Sequence, residues 1–162
     1  MPAPSDVDGF FRPLDYPMYV VTAAGGGERD GCLVGFTTQC GIDPPRFLAC
    51  LSTANRTYRI ARSARLLAVH LLGAGQHELA ALFGQQTGDE TDKLAQCDWQ
   101  PGPDGVPLLA DCPHRFVGEI LDRVDLGDHH GFLLRPTEVA AALTGPPLMF
   151  SAVQDLEPGH PA

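Results

Sequence analysis

Positive charge is scarce in this sequence: 11 Lys and Arg stand against 20 Asp and Glu, a formal net charge of −9 over 162 residues. Phosphate polymers and anionic membrane surfaces repel such a chain, which argues against nucleic acid or a membrane as partner. No run approaches the roughly 20 consecutive apolar residues that span a bilayer. The opening MPAPSDVD has neither the basic nor the apolar region of a signal peptide, so a cytoplasmic location is expected. The five cysteines (Cys32, Cys40, Cys50, Cys97, Cys112) are odd in number and never spaced Cys-x-x-Cys. Neither a disulfide framework nor a metal site is expected, and the thiols read as reduced, with Cys50 as a small core residue. There is no Gly-x-Gly-x-x-Gly, which excludes a Rossmann nucleotide domain, and no recognisable Ser, His and Asp nucleophile constellation.

What the chain does have is core material. Hydrophobic residues make up 44% and charged residues 19%, in a length suited to one domain. The expected core covers about 16–143, and 157–162 reads as a loose tail. Short β runs dominate. MYVVTA (18–23) and 31–38 form a hairpin across Gly25-Gly26-Gly27, Asp43-Pro44-Pro45 breaks regular structure, and 47–51 is apolar enough for a buried strand. Residues 55–64 suit a short amphipathic helix capped by Thr53 or Asn55; 66–72 is a buried strand; 76–83 is helical until Gly84 ends it. Residues 88–92 and 101–107 read as loops. Alternation over 115–126 predicts a long strand with one strongly buried face, turning at Gly127-Asp128 into a return strand over 131–135. Five or six mainly antiparallel strands with two short helices suggest a small β-barrel with helical plugs.

Residues 31–45, GCLVGFTTQCGIDPP, resemble the signature of the flavin reductase family, in which a strand runs through small and hydroxyl residues into Asp-Pro-Pro. LSTANRT (51–57) is similar to that family's phosphate loop, Thr91-Asp92-Lys93-Leu94 to its Asp-Lys-Phe segment, and Gly127-Asp128-His129 to its Gly-Asp-His turn. The four blocks fall in register, and with the opening strand and 67–72 the likeness spans roughly 17–137. There are departures. Leu33-Val34-Gly35-Phe36-Thr37-Thr38 stands where relatives commonly show Thr-Ala-Asn-Ser-Phe-Thr, His70 replaces an asparagine, and Leu94 replaces an aromatic.

The resemblance implies a mainly β, homodimeric split β-barrel that binds FMN, with FAD as the alternative, and uses NADH or NADPH to reduce it for a flavin-dependent monooxygenase. A second reading is a flavin-binding electron-transfer protein, or a deazaflavin-using oxidoreductase. For ring contacts it points to Thr37, Thr38 and Gln39, at the end of the second expected strand. For the phosphate it points to Ser52, Asn55, Arg56 and Thr57 at the mouth of a helix, where Ser52 and Asn55 also suit plain helix capping. Lys93 is placed to approach the flavin or a nicotinamide phosphate, unless it is a surface lysine. His129 is the expected catalytic residue, positioning the nicotinamide and stabilising charge rather than acting as a base. The other reading of His129 and His130 is a pair of turn histidines, and His70 reads as a satisfied core histidine.

Overall fold

β-Branched residues and tight turns set the frame. The structure, a computed structural model, describes residues 1–159. β1 (Tyr19–Gly25) and β2 (Glu28–Val34) pair antiparallel, with Gly25 opposite Glu28. Only Gly26 and Gly27 link them, both at positive φ (59° and 79°), as a two-residue hairpin turn requires. β3 (Thr37–Ile42) and β4 (Pro45–Ser52) form the next hairpin around Asp43-Pro44. β5 (Leu66–Leu71), β8 (Arg115–Asp125) and β9 (His129–Ala140) complete a seven-stranded antiparallel sheet in the order β2-β1-β5-β8-β9-β4-β3. A two-stranded ribbon, β6 (Trp99–Pro101) and β7 (Pro107–Leu109), occupies part of the expected 101–107 loop.

Among the described residues there are three α-helices: α2 (Arg56–Ala61) and α3 (His77–Gln85) pack on the sheet, and α1 (Pro4–Phe11) buries none of its residues. β1 is buried on both sides, because alternate residues feed different cores. Val21 and Ala23 pack with Tyr58 and Ile60 of α2, Leu67, Val69 and Phe132. Val20 packs on the opposite side with Ala80 and Phe83 of α3, Leu72, Leu148 and Val153.

The sheet corrects several sequence expectations. The run 31–38 is not one strand: β2 stops at Val34, and Thr37 opens β3. Gly35 explains the break, since a Cβ there would lie 2.5 Å from Tyr16 Cε2 and 3.1 Å from Met18 Sδ. α3 runs past Gly84, which lies against Leu33 and would clash with it at 2.7 Å if it carried a Cβ. The return strand β9 is longer than 131–135. β8 is buried only in its first half, where β5 flanks it; beyond Ile120 it pairs with β9 alone and leaves Leu121 and Val124 exposed. Leu156, just ahead of the expected 157–162 tail, packs against the α3-side core, and a Cβ on Gly159 would crowd the backbone of 85–87; residues 160–162 lie outside the described residues.

No described helix is long and apolar enough to cross a membrane.

Candidate functional site

One cavity of about 430 Å³ opens where β2 ends, with walls drawn from β4, α3, Lys93, the β8–β9 turn and the segment 150–158. Its volume lies within the roughly 300–1,000 Å³ of small-ligand pockets. Aromatic rings form one side. Phe150 stacks on Tyr16 at 4.8 Å between centroids, Tyr16 meets Phe36 at 6.0 Å, and Phe36 meets the imidazole of His129 at 5.1 Å. Asp15 anchors the 150–158 segment, accepting hydrogen bonds from the Ser151 backbone N–H (2.9 Å) and hydroxyl (2.7 Å).

Polar groups gather on the facing edge. Ser52, at the end of β4, is the register partner of His129, at the start of β9. The two loops they begin are tied together by the Thr53 N–H donating to the Asp128 carbonyl at 2.9 Å. His129 Nδ1 lies 2.9 Å from the Asp128 carboxylate, which fixes the donor role on Nδ1. Asn55 caps α2, its Oδ1 accepting from the Thr57 N–H at 2.9 Å. Lys93 is 1% exposed, so it is no surface lysine; its Nζ stands 3.6 Å from Asp30 Oδ1, and Arg56 Nη1 stands 3.6 Å from Asp30 Oδ2. A buried carboxylate is thus shared between two cations, one of them in the cavity wall. No hydrogen bond among the described residues reaches Asp30 Oδ2.

Comparison with known proteins decides the family, because residues 11–156 match the flavin reductase like domain. The chain belongs to that family. Among flavin reductase relatives, a probable flavin reductase of Rhizobium meliloti is 31% identical over 113 residues, 67% of this chain and 35% of the relative. The chain therefore spans about a third of that protein's length. The FMN reductase (NADH) RutF of Bradyrhizobium diazoefficiens is 28% identical over 127 residues, covering 78% of this chain and 70% of RutF. The NADH:FAD oxidoreductase SgcE6 of Streptomyces globisporus shares the fold, with a TM-score of 0.83 at 24% identity over 95% of this chain and 94% of SgcE6.

Within this flavin reductase domain the sequence-expected residues divide. Ser52, Asn55, Lys93 and His129 converge on the cavity. Thr37, Thr38 and Gln39 do not. They line a separate hollow of about 410 Å³ with Arg46, Phe47 and Phe116. There the Thr37 hydroxyl bonds Tyr19, whose phenol burial pushes up, and the Thr38 hydroxyl donates to the Gln39 carbonyl at 2.9 Å. Arg56 faces a polar depression with Arg29 and Asp89, and also lies 3.7 Å from Glu28. Thr57 is fully buried beside Cys32. The residues that sequence reasoning missed are the aromatic ones: Tyr16, Phe36 and Phe150 reach the cavity from three distant points of the chain. Position 36 alone carried a signal, as a departure from the family pattern.

The cysteines offer no nucleophile here. Burial pushes the Cys32 thiol up to about 12 and raises that of Cys50, which is half-buried in the cavity wall rather than in the core. His70 is a core histidine, its Nδ1 donating to the Val20 carbonyl at 3.0 Å and its Nε2 accepting from the Leu109 N–H at 3.1 Å.

Proposed function

We propose that this chain is an NAD(P)H-dependent flavin reductase: a homodimeric split β-barrel that holds FMN, with FAD as the alternative, and supplies reduced flavin to a partner monooxygenase. The convergence of Ser52, Asn55, Lys93 and His129 on one aromatic-walled cavity carries this reading. The donor set fits a flavin. A flat apolar ring system matches the stacked Tyr16 and Phe150 wall, and an anionic tail matches the Ser52 and Asn55 edge with the buried Lys93 ammonium.

Bound there, the flavin supplies the two-electron acceptor for hydride from a reduced nicotinamide, chemistry that belongs to the cofactors. The chain's share is positioning. Asp128 holds the His129 ring at the rim, Ser52 and Asn55 would hold the phosphate of a bound flavin, and the 150–158 segment would cover its ring.

The direct test mixes purified protein with FMN and excess NADH and follows the nicotinamide absorbance. With oxygen excluded and FMN in excess over protein, NADH consumption matching the added FMN is expected, and consumption matching only the protein would indicate a permanently held flavin instead. The phosphate assignment has its own check. The double variant Ser52→Ala/Asn55→Ala should weaken FMN about tenfold, the scale of losing one or two bonds to a charged group, and riboflavin much less. Equal losses for both ligands would leave Ser52 and Asn55 as helix caps only.

A further inference from the structure

Phe36 sits in the two-residue link between β2 and β3 and is 53% exposed although it lines the cavity. Its position is built rather than incidental. The preceding Gly35 passes so close to Tyr16 that no side chain fits there. The Phe36 carbonyl accepts from the Cys50 N–H at 2.9 Å, which pins the link to β4. The ring is supported at its sides by Tyr16 and by His129, and the Asp128 carboxylate on His129 Nδ1 puts negative charge on the same rim. A large aromatic surface held open at the mouth of a cavity is a platform for another flat ring.

We propose that Phe36 is the stacking platform for the nicotinamide ring, and that it grips the oxidised pyridinium ring more tightly than the reduced, neutral one. This rests on the flavin reductase reading above. The face of a phenyl ring is the negative pole of its quadrupole, so it attracts a cationic ring beyond ordinary stacking, whereas a dihydropyridine gains only the stacking. Phe36 thereby sets product retention: the site favours the spent nicotinamide, which competes with the fresh one.

The test is calorimetric titration of the FMN-loaded protein with two non-reacting probes, NAD+ and the neutral-ring 1,4,5,6-tetrahydro derivative of NADH. The wild-type chain should bind NAD+ about three- to tenfold more tightly, the range of a partly exposed cation–π contact. Phe36→Leu, which keeps apolar cover without a π face, should lose that preference, and Phe36→Trp should keep or enlarge it. Because Asp128 and the net charge are the same in all three proteins, their contribution cancels in the comparison. An unchanged ratio in Phe36→Leu, or equal tightening of both probes there, would overturn the proposal; the latter would make Phe36 a mere occupant of the cavity. Flavin uptake, read separately by fluorescence quenching, divides the failures. A chain that takes up no FMN sinks the reductase reading, and one that takes up FMN yet binds neither probe sinks the Phe36 proposal alone.

Discussion

His129 faces the cavity with Nδ1 committed to Asp128, while His130, one residue on, turns to the other side of the sheet and lies edge-on to Tyr58 with ring centroids 4.9 Å apart. His129→Ala should therefore retain flavin and lower nicotinamide turnover by roughly one to two orders of magnitude, about 1.4 kcal/mol of barrier per tenfold. His130→Ala should change turnover little; matching effects of the two variants in steady-state kinetics would remove the assignment. His70 makes a different prediction. Burial drives its pKa from 6.5 down to about 4, so the native state keeps it neutral while the unfolded chain takes up a proton below pH 6.5. Its stabilising contribution is complete above pH 6.5, declines as the pH falls toward 4, and is then level, a loss on the order of 3 kcal/mol. Urea titrations of wild type and His70→Asn across that window should differ in slope, the variant being flatter; parallel curves would mean that the imidazole is not held neutral.

Elements differ in how far they could be read from sequence. The β1–β2 hairpin was legible because its glycines and β-branched run are local signals, and α2 because Asn55 is a strong cap. α1 carries helix signals too, with Pro4 in its first turn and Val7, Phe10, Phe11 and, just beyond its end, Leu14 at helical spacing, yet none of its residues is buried, so no core contact fixes where that apolar face lies. The break between β2 and β3 was hidden because the close approach of Tyr16 to Gly35 comes from a point distant in sequence, and beyond that break Thr37, Thr38 and Gln39 line a hollow separate from the one that Ser52 and His129 share. The role of 150–158 was not legible because its contacts are distant in sequence: the Phe150 N–H donates to the Tyr16 carbonyl at 2.8 Å, and Phe150, Val153 and Leu156 wall the site. Cutting the anchor of that segment with Asp15→Ala/Ser151→Ala should raise the FMN dissociation rate by about two- to fivefold, a modest effect because exposed hydrogen bonds contribute little. Stopped-flow release measures it, and an unchanged rate would leave the segment as passive packing.

Across the whole molecule, the half of β8 that β5 does not flank leaves Leu121 and Val124 in the open, and the end of β9 does the same with Val139. Apolar strand surface in that position suits a second copy of the chain. Light scattering should give a mass near twice 17.3 kDa. A monomer that still binds flavin tightly would remove the dimer from the proposal. The pairing of Ser52 with His129 also bears on how such a domain can change through evolution. Leu51 stands opposite His130 in the same ladder, so a one-residue slip of β9 against β4 would exchange which imidazole meets the ligand. The length of the 126–128 connection that leads into β9 is therefore constrained more tightly than the identity of its residues. Distant descendants of this chain should be recognisable by the counting of residues in that connection long after the residues themselves have been replaced.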